Sequence, residues 1–170
     1  VVGDIGVATP IIITAGGTRQ LIAWDPSEVA SLDPATGKAY WRQPFKVQGT
    51  MTVVTPVKSG SMLFFTTFYS GPLMLTLDDK TPTASVLWKG KSDSEIQTDG
   101  LHAVLATPII DGDYMYGICS YGQLRCLKAK TGERVWETQA VTLEKKRWVS
   151  GFIVRHGDRY IVNGTKAWIT

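Results

Sequence analysis

The 170-residue sequence predicts an all-β protein, a β-propeller of four-stranded antiparallel blades, on three observations. A tryptophan-bearing turn recurs along the chain, a Pro-containing apolar segment recurs ahead of each copy, and helical periodicity is scarce between them. The turn runs Ser31-Leu32-Asp33-Pro34-Ala35-Thr36-Gly37-Lys38-Ala39-Tyr40-Trp41 and returns as Cys126-Leu127-Lys128-Ala129-Lys130-Thr131-Gly132-Glu133-Arg134-Val135-Trp136. Between them, Thr76-Leu77-Asp78 through Val86-Leu87-Trp88 keeps the Asp and the Trp but loses Thr-Gly. The three tryptophans are spaced by 47 and 48 residues.

Each unit opens in the same way. Ala8-Thr9-Pro10-Ile11-Ile12-Ile13, Val54-Thr55-Pro56-Val57 and Ala106-Thr107-Pro108-Ile109-Ile110 begin an apolar run that ends in a Gly turn. An alternating apolar segment follows: Leu21-Ile22-Ala23-Trp24, Met62-Leu63-Phe64-Phe65 or Tyr114-Met115-Tyr116-Gly117-Ile118. After Trp136 the cycle restarts at Gly151-Phe152-Ile153-Val154 and continues to Val162. Four short strands at a period near ~45 residues are the pattern of a propeller blade. A solenoid of that period needs helices, and an immunoglobulin-like sandwich has no repeated Thr-Gly-x-x-x-Trp turn. Blades are expected at 8–49, 50–99 and 100–145, with an incomplete one at 146–170.

The turn has a mechanical reading. Asp33 accepts backbone donors in the bend, and Gly37 or Gly132 supplies a positive φ without a Cβ penalty. The outer strand then delivers Trp41, Trp88 or Trp136. A buried indole removes roughly 150–250 Å² from water and ties its N–H to a carbonyl of the neighbouring blade. These three tryptophans are therefore expected to be structural rivets between blades.

Composition narrows the function classes. Hydrophobic residues make up 44% and charged residues 19%, a globular balance. Eighteen Lys+Arg against fifteen Asp+Glu leave a net charge of +3, and the basic residues are scattered, which points away from nucleic acid. No apolar run approaches the ~18 residues of a membrane span. The sequence opens on Val1 without a charged-then-apolar leader, so any signal peptide is expected to have been removed or to lie outside it.

These turns resemble the pyrroloquinoline-quinone-type (PQQ) repeat, whose docking pattern is roughly Ala-x-Asp-x-x-Thr-Gly-x-x-x-Trp. The resemblance covers nearly the whole chain and implies a ring of about seven or eight blades, of which about three and a half are here. It also implies a bacterial protein of the periplasm or cell exterior. Other blades of the ring, or a second copy, are then expected to cover the open ends. The repeat builds quinone-dependent dehydrogenases, a lipoprotein scaffold of outer-membrane assembly and many secreted propellers. In the dehydrogenases the quinone lies between a Trp and an adjacent-Cys disulfide, beside calcium or a lanthanide held by Glu, Asn and Asp. Cys119 and Cys126 are not adjacent and no Asp-Tyr-Asp stretch occurs. The expectation is therefore a non-catalytic module that binds a ligand or protein partners, without cofactor. The alternative is a domain of a quinoprotein alcohol or sugar dehydrogenase with PQQ and calcium.

Two polar linkers carry the candidate site. Ser92 through His102 joins the second unit to the third and offers Glu95, Asp99 and His102 at the mouth of the channel; its plainer reading is a solvated loop. Glu144-Lys145-Lys146-Arg147-Trp148 follows the third unit, and there Arg147 is placed to clamp an anion with Trp148 stacked beside it. The plainer reading is a surface charge cluster with a packed Trp. A protein, small-molecule or saccharide ligand is expected on this face. His102 and His156 are the only histidines and have no metal-ligand spacing. Cys119 and Cys126 flank the Tyr121-Gly122 turn nearly opposite one another, as two buried thiols or a cross-strand disulfide. Asp111-Gly112-Asp113 reads as a turn, as does Asn163-Gly164 within a glycosylation-type triplet ending at Thr165. No catalytic constellation is present.

Overall fold

Alternation of apolar and polar residues converts directly into strands in the computed structural model, which describes residues 8–164 and, for backbone only, 168–169. The first sheet contains β1 (Ile11–Ala15), β2 (Thr18–Trp24), β3 (Glu28–Leu32) and β4 (Ala39–Pro44), hydrogen-bonded in that order. The second contains β5 (Val57–Ser59), β6 (Met62–Thr67), β7 (Gly71–Leu77) and β8 (Ala84–Lys89), and the third β9 (Ile109–Asp111), β10 (Tyr114–Ile118), β11 (Leu124–Lys128) and β12 (Arg134–Thr138). The fourth has three strands among the described residues: β13 (Gly151–His156), β14 (Arg159–Gly164) and β15 (Trp168–Ile169). All pairings are antiparallel. The fold is the expected all-β propeller of four-stranded sheets, and the only helical element among the described residues is a 3-10 turn at Gln48–Thr50.

Period-2 side-chain alternation gives every sheet two faces, and facing sheets share a core. Ile13, Ile22, Trp24 and Val29 of the first sheet pack with Leu63, Phe65, Leu73 and Leu75 of the second. The opposite face of the second sheet sends Phe64 and Met74 against Met115 and Leu127 of the third. Ile118 and Leu124 leave the far side of the third to meet Val162 of the fourth. The innermost strands touch in series, β5 on β9 and β9 on β13, as expected for sheets arranged about one axis. Ile12 of the first sheet and Phe152 and Val154 of the fourth point away from these cores and are exposed.

A bulge recurs at one position in each complete sheet. Ser31 pairs with Trp41 and Leu32 with Ala39; Met74 pairs with Trp88 and Leu75 with Val86; Cys126 pairs with Trp136 and Leu127 with Arg134. One extra residue, Tyr40, Leu87 or Val135, therefore stands just before each tryptophan and re-aims the indole.

The tryptophans meet different surroundings. Trp88 bridges two sheets, donating from Nε1 to the Ala129 carbonyl at 2.8 Å. Its ring lies so close to Gly132, at φ 73°, that a Cβ there would stand 2.8 Å from two ring carbons. Trp41 departs from the expected bond to the neighbouring sheet. Its Nε1 donates to Oε1 of Gln20 in its own sheet at 3.1 Å, because that buried amide also collects the Ser31 hydroxyl. Pro82 stands in the second sheet's turn where Gly132 stands in the third. Trp136 is 43% exposed, with its ring 6.2 Å from that of Tyr116 in its own sheet. Gly37, at φ 72°, has nothing within 4 Å of a built Cβ, so no indole rests on it among the described residues.

Candidate functional site

Antiparallel order places both the linkers between sheets and the turns joining second to third strands at one end of the molecule. Linker backbone ties onto those turns: Phe45 N–H donates to the Ser27 carbonyl, and Gln48 N–H to the Ser70 hydroxyl at 3.0 Å. The site is assembled from the 90–108 and 139–150 linkers and the turns 68–70 and 119–123.

Arg147 is the hub. Its Nη2 donates to Glu95 at 2.7 Å and to the Tyr69 hydroxyl at 2.6 Å. The guanidinium lies 5.0 Å from the Trp148 ring centre and 5.5 Å from that of Phe68. Phe68 and Trp148 stack at 4.5 Å with 12° between planes, and Tyr69 meets Phe68 edge-on. Tyr121 donates to the other oxygen of Glu95 at 2.9 Å. That bond favours the protonated phenol and raises its pKa, with Arg147 opposing. Glu95, Arg147 and Trp148, chosen from two separate linkers, thus come together, and the aromatic partners come from turns.

His102 lies beneath this surface, and Asp99 stands beside it with its own side chain 39% exposed. His102 is fully buried, with Nδ1 3.1 Å from the Phe68 carbonyl. A carbonyl only accepts, so the proton sits on Nδ1. Nε2 then faces Asp99 Oδ1 at 3.5 Å as a second acceptor, which makes this a proximity and leaves Nε2 without a hydrogen bond. Burial lowers the His102 pKa below its ordinary 6.5, against the opposing pull of the Phe68 carbonyl and Asp99. Partial burial raises the Asp99 carboxyl, but the Lys91 backbone N–H bond at 2.6 Å outweighs it and holds its pKa below the usual range. His102 supports the Phe68–Tyr69 turn from within through its Nδ1.

The 92–102 segment is not simply solvated. Thr98, Leu101 and His102 are buried, and Arg125 of β11, only 3% exposed, clasps the segment. Its Nη1 donates to the Thr98 hydroxyl at 2.7 Å, to the Gly100 carbonyl and to Cys119 Sγ at 3.0 Å. Its Nε reaches Glu137 at 3.0 Å. Phe68, Tyr69, Tyr121 and Arg125 were missed in the sequence. The available signal was positional, since the first three fall in the turns between second and third strands of consecutive units.

The cysteines are both free and buried. They do not face one another: Cys126 pairs with Tyr116, while Cys119 starts the turn and bonds to Gln123. A cross-strand disulfide is therefore replaced by two thiols with different neighbours, and burial raises the Cys126 pKa. Asp111 closes a two-residue turn onto Tyr114, as expected. Asn163-Gly164 closes β14, with Asn163 paired to Trp168 of β15, and Thr165 lies outside the described residues. Among the described residues no three His, Cys, Asp or Glu gather to hold a metal. Cys119 and Cys126 are not adjacent, so they do not fit the paired-thiol face of a quinone. No described helix is long and apolar enough to cross a membrane.

The profile of the family described as outer membrane protein assembly factor BamB matches residues 3–166. No curated protein matches the sequence. Among solved structures, BamB from Moraxella catarrhalis superposes with a TM-score of 0.60 at 15% identity, covering 97% of this chain and 48% of that one. Quinohemoprotein alcohol dehydrogenase from Comamonas testosteroni gives a TM-score of 0.47 at 18% identity, covering 79% of this chain and 21% of that one. The chain thus spans about half the length of the first and a fifth of the second.

Proposed function

The chain belongs to the family of the outer membrane protein assembly factor BamB, and on that premise we propose that it is a non-catalytic propeller segment whose linker end docks other proteins. The proposed setting is the bacterial periplasm, at the outer membrane, where a scaffold holds assembly partners together. The propeller units we assign run 8–49, 50–99, 100–145 and 146–170. Phe152 and Val154, and Ile12 at the other end, are proposed to be covered by further blades of the ring.

One observation carries the docking reading. The non-glycine residues with positive φ among the described residues are Thr50, Leu143 and Trp148, and all three lie in linkers. Holding an L-residue there costs about 1–2 kcal/mol. Leu143 and Trp148 nevertheless present 60% and 44% of their surface to solvent, with Ile96 and Leu105 of the other linker also exposed. Strain retained at residues that display apolar side chains marks a contact surface. The test is quantitative co-purification from producing cells with Leu143→Ser plus Trp148→Ser, against Lys58→Ser at the opposite end as control. The linker variant is expected to lose a defined partner that the control keeps; equal recovery by both would overturn the reading.

A further inference from the structure

Arg147 already holds a carboxylate. Glu95 comes from a linker about fifty positions away in sequence, and its pairing with Arg147 is exposed to solvent on the arginine side. The guanidinium is aligned by the Tyr69 hydroxyl and by the Phe68 and Trp148 rings, so its donor fork is oriented before any partner arrives. Exposed Lys145 and Lys146 precede it, and the same two linkers carry the exposed apolar side chains Ile96, next to Glu95 in sequence, and Leu143.

We propose that Glu95 is an internal stand-in, and that the linker end takes an acidic peptide segment whose carboxylate replaces Glu95 on Arg147 while an adjacent apolar side chain packs on Trp148 and Leu143. This rests on the docking reading and adds to it the chemistry of the partner. Charge complementarity favours an acidic occupant, because the linker carries three consecutive cations beside the apolar surface. The Glu95–Arg147 pair competes with that occupant. An exposed ion pair is weak, so the exchange needs little free energy and tunes affinity instead of blocking it.

The test titrates the 170-residue chain with an acetylated, amidated hexapeptide Asp-Leu-Glu-Phe-Asp-Gly, following tryptophan fluorescence. Two further peptides are compared, the same peptide with Asn and Gln for the acids and one with Lys in their place, and the acidic peptide is also titrated at raised salt. The acidic peptide is expected to bind and to weaken with salt. Glu95→Gln is expected to tighten it about two- to five-fold by removing the competing carboxylate. Arg147→Gln is expected to weaken it about tenfold or more. Circular dichroism checks that both variants are folded, and Arg147→Lys, which keeps charge but not the fork, is expected to fall between. Binding of the neutral or basic peptide in preference, with loss in Leu143→Ser, would overturn the acidic partner and leave the docking surface standing. Binding of any peptide unchanged by Leu143→Ser and Trp148→Ser would sink both.

Discussion

Gly132→Ala and Gly37→Ala form a matched pair that isolates the tryptophan dock. Both glycines follow Thr in the same repeated turn and hold nearly equal positive φ, 73° and 72°. Each alanine therefore incurs the same left-handed strain, about 1–2 kcal/mol. They differ only in what a Cβ meets: nothing within 4 Å at Gly37, and two ring carbons of Trp88 at 2.8 Å at Gly132. To reach ordinary contact the indole must retreat by most of an ångström, which breaks its 2.8 Å bond to Ala129 and opens packing against Phe64. A lost neutral hydrogen bond costs about 0.5–1.5 kcal/mol, and imperfect repacking adds about 1 kcal/mol more. Gly132→Ala is thus expected to be less stable than Gly37→Ala by about 1–3 kcal/mol. Urea unfolding followed by circular dichroism measures it. In a Trp88→Ala background the excess is expected to vanish, since the partner of the clash is gone. Equal costs for the two alanines, or an excess that survives Trp88→Ala, would refute the idea that Trp88 locks the second sheet to the third.

Other outcomes follow from particular residues. His102 has its pKa lowered by burial, so the unfolded chain binds its proton first as acidity rises from pH 6.5; stability is expected to fall below that pH by up to about 1.4 kcal/mol per unit. His102→Gln flattens that slope in denaturation midpoints measured between pH 7 and 5, and an unchanged slope would contradict it. Arg125→Met leaves the Gly100 carbonyl and Thr98 hydroxyl without their donor and is expected to cost about 2–4 kcal/mol. Hydrogen exchange of residues 92–102 should rise in that variant while β6 and β7 stay protected; uniform loosening would argue against a local clasp. Leu143→Gly relieves positive-φ strain at a mostly exposed side chain and is expected to stabilise the fold by about 0.5–1 kcal/mol while weakening partner binding. A gain in both would contradict a functional reason for the strain.

The sheets were legible because their signals are local. Thr-Gly-x-x-x-Trp turns, Pro-led inner strands and Gly turns each act within a few residues, and the strand order follows from them. The bulges before Trp41, Trp88 and Trp136 were hidden because a bulge is a pairing property of two strands, not of one. The equivalence of the three tryptophans failed for a similar reason. Each motif ends on the same indole, but the partner is Gln20 for Trp41, Ala129 for Trp88 and Tyr116 for Trp136. In the linkers, polarity marked Glu95, Arg147 and Trp148, and the fold gathers them. The same polarity made Ser92 through His102 resemble a solvated loop. Its burial depends on Arg125, a charged strand residue whose inward course no local pattern announces.

Site-specific photo-crosslinking compares the two ends of the molecule most directly. A photoreactive amino acid is placed in turn at position 143 in a linker and at position 60 in the turn between β5 and β6, and adducts are identified in cells that make the protein. Adducts to one defined protein from position 143, absent from position 60, are the expected result. Equal labelling from both positions, or labelling from position 60 alone, would contradict a docking surface built on the linkers.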